Sequence, residues 1–406
     1  MTLPGPTSDT KPGRLAFLVL VGLTLATYIA FAMVATMHTH NRIGLGGSPL
    51  FYDFSVFHTA GAMADTGHAA DSYDDEKMLA AERAAFPGNT LRLPWNYPPT
   101  FQILLMPLGA LPYVMAWLTW SFILYGFYVL LVRKLAMGSN QLVLLLLAPG
   151  VAVNLFFGQN GILTTVLLGG GVLLLGFRPI LAGVLLGLTA YKPQFALLAP
   201  FALLAGREWR ALGAAVVSQV ALILLSLAVL GVEPWLAFLY KLAHPAMVFS
   251  SSSSDWRAIP SMMILARTLG LGPAAGSMVH WSVAAAAAAA ALWTWHKTKD
   301  GPVRMAVLAA ATLLVTPYLR AYDMALLILP VAVILRGCTG LLEKAILFAA
   351  WLVPGVLMFV SPPIQVGALV SIAVLWVVYG NVLSGRILGN ARDAATGHSF
   401  TDPHPS

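Results

Sequence analysis

The chain has 406 residues, is 59% hydrophobic and only 10% charged, and has a mean hydropathy of +0.80. So few charges would not cover so apolar an inventory in water, which excludes soluble enzymes and soluble binding modules and indicates an all-α polytopic membrane protein. The net charge of +7 comes without a basic patch or interleaved aromatics, so nucleic acid is not an expected partner. Lys and Arg instead fall in short loops, where they orient spans. The lone Cys338 rules out an internal disulfide framework.

Lys11 and Arg14 precede an apolar run to about Met37, too long for a signal-peptide core. It reads as a retained first span with its N-terminus inside. Residues 38–112 then form an extracytoplasmic loop holding seven of the sixteen acidic residues: Asp53, Asp65, Asp71, Asp74, Asp75, Glu76 and Glu82. Apolar spacing predicts a helix over Phe54–Ala64. Acidic first-turn residues predict a second over Asp75–Phe86.

The apolar run after Tyr97-Pro98-Pro99 is about fifteen residues, roughly 22 Å as a helix, against a ~30 Å hydrocarbon core. If it crossed, Arg133-Lys134 would lie outside. The positive-inside rule therefore favours an interfacial run that completes the outer loop. Helices over 113–132, 141–157, 162–177, 180–191, 194–205, 211–231, 276–295, 303–317, 324–336, 345–361 and 366–383 follow. They make about a dozen spans in one integral domain, with both termini cytoplasmic in a bacterial-type plasma membrane. A second outer loop covers 232–274, and 387–406 is a cytoplasmic tail. The alanine run 284–291 is expected to be a small-residue packing face.

On this topology the outer face collects Asp53, Tyr97, Gln159, Asn160, Lys192, Gln194, Arg257, Arg320 and Tyr322. Asp53 precedes a helix and so suits an N-cap, and an ionised carboxylate there also suits a general base. Lys192, between two apolar runs, reads either as a snorkelling lysine or as a cation for a phosphate, with Arg257 and Arg320 as helpers. Gly158 suits a helix C-cap, Pro98-Pro99 a helix start, and Asp323 another cap. No His/Asp/Glu spacing makes a metal site, and no Walker, GxGxxG or GxSxG motif occurs. A secondary transporter would suit the span count, but neither midplane ionisable groups nor inverted repeats are apparent. A non-catalytic partner in envelope assembly is the third possibility.

Several segments occur in a characteristic order: Asp53-Phe54-Ser55-Val56-Phe57, then Gly67 and Tyr73-Asp74; Asn96-Tyr97-Pro98-Pro99, then Pro107, Leu111-Pro112 and Trp117; Phe157-Gly158-Gln159-Asn160; Arg178-Pro179 with Ala182-Gly183; and Lys192-Pro193-Gln194. Over residues 50–210 this resembles glycosyltransferase family 87, within the GT-C superfamily of polyprenyl-phosphate-sugar-dependent enzymes. Thr316-Pro317 and Tyr322-Asp323 extend the likeness more loosely. The resemblance implies a metal-independent, cofactor-free, inverting enzyme that moves a hexose, mannose in the type members, from a lipid-phosphate donor to an envelope lipid or glycan acceptor. It places the catalytic aspartate at Asp53; Tyr97, Gln159, Asn160, Lys192, Gln194, Arg257, Arg320 and Tyr322 are read as substrate- or phosphate-binding from their shared place on the outer face. Many members carry a histidine in the second outer-face Pro motif; here Arg320 and Tyr322 stand in that loop.

Overall fold

A computed structural model describes residues 11–37, 42–44, 47–244, 259–337, 340–360 and 364–384. Among these the regular elements are all helices, with one isolated bridge between Ile43 and Pro49. Six segments are long and apolar enough to cross a membrane: Phe17–Val34, Tyr113–Leu135, Ser139–Phe157, Trp209–Leu230, Pro273–Lys297 and Val366–Leu383. The chain is thus a multi-pass helical membrane protein. Cys338 and Arg257 lie outside the described residues.

The chain divides into two compact units, one of residues 1–160 and 226–254, the other of 161–225 and 255–406. The first contains α1 (Lys11–Met37), α2 (Tyr52–Asp65), α3 (Asp75–Ala85), α4 (Pro99–Gly109), α5 (Tyr113–Leu135), α6 (Ser139–Leu146) and α7 (Pro149–Phe157). A 3-10 turn, Ala70–Tyr73, lies between α2 and α3. The helix expected over 141–157 is broken, because Pro149 has no amide to donate and forces Ala148 out of the helical region (ψ 127°).

α4, at eleven residues, is about 16 Å long and too short to cross a bilayer alone. It packs on α2 through a crossing with no room for side chains. A Cβ on Gly61 would stand 2.4 Å from the Leu105 carbonyl oxygen, and one on Gly109 would stand 2.2 Å from the Ala62 nitrogen. Beside the crossing, the buried Gln102 amide donates to the carbonyls of Ala60 (3.2 Å) and Ala69 (3.2 Å) and to Ser72 Oγ (3.1 Å). This one side chain joins α4, α2 and the 3-10 turn. Further along the chain in the same unit, α13 (Glu233–Ala243) is anchored by Lys241, which donates to Asp75 Oδ1 at 2.7 Å and to the Trp95 carbonyl at 3.2 Å.

The second unit contains α8 (Gly161–Leu174), α9 (Pro179–Leu188), α10 (Pro193–Ala196), α11 (Ala199–Ala205), α14 (Met262–Thr268), α15 (Pro273–Lys297), α16 (Gly301–Val315), α17 (Ile328–Ile334), α18 (Leu341–Val356) and α19 (Val366–Leu383). α12 (Trp209–Leu230) begins here and runs into the first unit. α16 is buried at every position from Val303 to Val315, the pattern of a core helix. α15 lies along it. Of the alanine run 284–291, only Ala284, Ala287 and Ala291 turn inward, so one stripe of the run forms the expected packing face.

Arg304, 2% exposed, sits at the start of α16. Its guanidinium donates to the carbonyls of Thr298 (2.6 Å) and Trp295 (2.6 Å) and to Glu208 Oε1 (2.7 Å). Lys299 reaches the same carboxylate at 2.8 Å. A buried guanidinium is tolerated because its donors are engaged. Arg304→Met should lower the stability of the purified protein by about 3 kcal/mol, measured as a drop in the midpoint of heat-induced loss of the monodisperse peak in detergent. Lys299→Met, which removes an exposed partner, should change it little.

Candidate functional site

Most of the carboxylates between α1 and α4 have structural partners. Asp74 caps α3, accepting from the amides of Glu76 (3.0 Å) and Lys77 (3.1 Å). Asp75 holds Lys241, and Glu76 pairs with Arg92 at 2.5 Å. Asp71 binds Lys77 at 2.6 Å and His68 at 3.1 Å, and the Lys77 ammonium pulls its carboxyl below the usual range. Glu82 differs from these: it is fully buried, and neither carboxylate oxygen makes a hydrogen bond of ordinary geometry, although the Leu93 amide faces it. Burial pushes its pKa from an ordinary 4.5 up to about 8, against a smaller opposing effect of that amide.

Asp53 is half-buried in the first turn of α2, one residue inside the helix rather than at its N-cap. The cap position is Phe51, and no side chain caps the helix there. The capping role weighed for Asp53 is therefore not the one it has here. A first-turn carboxylate is still favoured by the helix dipole. Phe51 stands in the left-handed region at φ 57°, ψ 46°, which costs a bulky residue about 1–2 kcal/mol.

Gly158-Gln159-Asn160 docks onto this helix start. Gly158 caps α7 in the left-handed region (φ 67°), as its sequence position suggests, and a Cβ there would lie 2.5 Å from Phe54 Cβ. Trp120 Nε1 donates to the Gly158 carbonyl at 3.0 Å, and the Tyr52 and Phe157 rings meet at 4.8 Å. Gln159 and Asn160 are buried directly after this contact. Tyr97 joins the same unit from the irregular run before α4. Its ring lies edge-on to Phe57 of α2 at 5.5 Å, and its carbonyl accepts from Tyr73 Oη at 2.7 Å. Asp53 and Tyr97 are thus tied to α2, and Gln159 and Asn160 directly follow the glycine that packs on it.

In the second unit Lys192 is 3% exposed, which excludes a snorkelling side chain. It donates to Asp323 Oδ1, with its ammonium 4.8 Å from the Tyr322 ring and 5.4 Å from the Phe195 ring. The other Asp323 oxygen accepts the Arg320 amide at 3.0 Å, while the Asp323 amide donates back to the Arg320 carbonyl at 3.0 Å. Asp323 is therefore not the cap residue, which is Arg320; it is the third residue of a 3-10 turn (Ala321–Leu327) whose carboxylate closes back on the cap residue's amide, and the ion pair is added to that. Gln194 is tied to the end of α16, its carbonyl accepting from Thr316 Oγ1 at 3.2 Å. Lys192, Gln194, Arg320 and Tyr322 belong to one cluster. The Lys192–Asp323 pairing was not foreseen from sequence, because 131 residues separate its members.

Removing one member of the buried pair should strand the other charge. Lys192→Met is expected to cost about 3–5 kcal/mol of stability, and Lys192→Met/Asp323→Leu should recover most of that loss in the same heat-inactivation assay. Recovery is the signature of a real pair, whereas additive losses would mean the two charges act separately. For Glu82, the folded state holds a proton that the unfolded chain releases between pH 4.5 and about 8. Stability should therefore decline as pH rises through that window. Glu82→Gln should flatten the decline, measured as melting midpoint against pH.

A family model described as glycosyltransferase family 87 matches residues 95–317, just over half of the chain. No curated protein and no solved structure is matched. The matched region includes Tyr97, Gln159, Asn160, Lys192 and Gln194; Asp53 precedes it, and Arg320 and Tyr322 follow it. With its multi-pass helical build and the motif order described above, the chain belongs to glycosyltransferase family 87, the membrane glycosyltransferases.

Proposed function

We propose that this enzyme transfers a hexose, mannose by resemblance, from a polyprenyl-phosphate donor to an envelope lipid or glycan acceptor. The reaction takes place on the extracytoplasmic side of a bacterial-type plasma membrane, with both termini cytoplasmic, and uses neither a metal nor an organic cofactor. The position of Asp53 carries this reading: it is a half-buried carboxylate in the first turn of a helix. The helix dipole favours negative charge at such a position, and a carboxylate there can accept a proton.

In the proposed step Asp53 takes the proton of an acceptor hydroxyl. The freed oxygen attacks the anomeric carbon, and the bond from that carbon to the phosphate oxygen breaks. The electron pair leaves with the polyprenyl phosphate, and a single displacement inverts the anomeric centre. Charge on the departing phosphate calls for fixed cations. Lys192 and Arg320 are assigned that role, with Arg257 as a further helper. Tyr97, Gln159, Asn160, Gln194 and Tyr322 supply hydroxyl and amide groups for donor and acceptor. As domains, residues 38–112 form the catalytic outer loop, 232–274 the second outer loop and 387–406 the cytoplasmic tail of one integral membrane protein.

The test is Asp53→Asn, which keeps size and hydrogen bonding but removes the base. With polyprenyl-phosphate-[14C]mannose and a lipid extract as acceptor, the purified variant should lose about 10²–10⁴-fold in turnover. Transfer at near wild-type rate would remove Asp53 from the chemistry.

A further inference from the structure

We infer that Tyr113 and Trp117, at the start of α5, are positioning residues that act through a strained turn to aim Asp53, an inference that rests on Asp53 being the base. Phe51 is one of three described non-glycine residues with positive φ, at 57°, and it stands two positions before Asp53. A left-handed phenylalanine persists only where its surroundings over-determine it, and here three contacts do so. The Phe51 ring stacks on Trp117, with centroids 3.7 Å apart and planes 5° from parallel. Phe156 closes its edge at 5.6 Å and 79°. The single Tyr113 hydroxyl proton is shared between the carbonyls of Leu50 (2.5 Å) and Phe51 (3.1 Å), one on each side of the turn.

Ordinary packing does not account for this arrangement. Glycine would adopt the left-handed turn without strain, but it has no ring to stack on Trp117. A phenylalanine in an ordinary extended N-cap would leave the helix start pointing elsewhere. Tyr113 and Trp117 are four residues apart and so share one face of α5. That face grips the turn, while Tyr52 and Asp53 stay half-buried. Trp117 is itself fixed, because its Nε1 donates to the Leu155 carbonyl at 3.0 Å. The clamp therefore ties the aim of Asp53 to α5 and to α7, the helix that ends at Gly158-Gln159-Asn160. A proton acceptor misplaced by about 1 Å loses up to about a hundredfold in rate.

Three substitutions are compared with wild type and with Asp53→Asn, using purified enzyme and polyprenyl-phosphate-[14C]mannose with a lipid extract. Tyr113→Phe removes the shared hydrogen bond and keeps the ring. Trp117→Phe and Trp117→Ala both lose the indole N–H, but only Trp117→Phe keeps a ring to stack. Tyr113→Phe and Trp117→Ala should lower kcat about 10- to 100-fold with the donor KM within about twofold, and Trp117→Phe should recover most of the loss. In the Asp53→Asn background the same changes should cost little further, because no base remains to be aimed. Equal losses in both backgrounds would show a merely structural role, and unchanged kcat in Tyr113→Phe and Trp117→Ala would also overturn the inference. Full activity in Asp53→Asn alone would instead overturn the reading beneath it. If Tyr113→Phe does not accumulate in membranes, Phe51→Asn, which tolerates the left-handed turn but cannot stack, replaces it with the same expected kcat loss.

Discussion

The first unit depends on two places where backbone meets its neighbour too closely for any side chain. At the Gly61–Gly109 crossing, α2 and α4 touch through their main chains. At Gly158, the end of α7 presses on Phe54. Between them these contacts hold α2 at its middle and at its first turn. Helices this close gain dispersion contacts along the whole crossing, and no flexible side chain intervenes to blur the geometry. A helix held at two such points is a rigid carrier for the residue at its start, and the turn at Phe51 sets the direction in which that start points.

The second unit uses charge where the first uses shape. Lys192, Asp323 and the Arg320 amide form a closed set in which Asp323 serves both neighbours. A lysine buried without a partner would shed its proton or open the fold. Here its ammonium is met by the Asp323 carboxylate and faced by the Tyr322 ring. The pair also joins the break between α9 and α10 to the segment after α16, two points distant in sequence. At the other end of α16, Arg304 and Glu208 make a comparable closed set with exposed Lys299. The buried core helix is therefore pinned by ions near both ends.

Much of this was legible in the residues themselves. Length and hydropathy marked the membrane helices, and Asp74-Asp75-Glu76 marked the start of α3, because caps and dipoles act within a single turn. Gly158 and Pro98-Pro99 announced a helix end and a helix start for the same local reason. The motif order pointed to the family before any geometry was known. Illegible features were those made by distant partners. Nothing near Lys192 names Asp323, and nothing near Glu82 says that its carboxyl is buried while its neighbours meet solvent or cations. Phe51 reads as an ordinary apolar residue, because a left-handed turn at phenylalanine is imposed by Tyr113 and Trp117 more than sixty residues on. Helix breaks were half legible: Pro149 splits a run whose hydropathy is continuous, and hydropathy alone joins it.

The central claim is a single displacement in which one carboxylate on α2 activates the acceptor. Such a step leaves a stereochemical record. The most direct measurement is the anomeric configuration of the transferred sugar, determined by NMR on the purified product and compared with that of the polyprenyl-phosphate donor. The account predicts the opposite configuration in the product. Retention would require a second displacement or a covalent sugar intermediate and would contradict it.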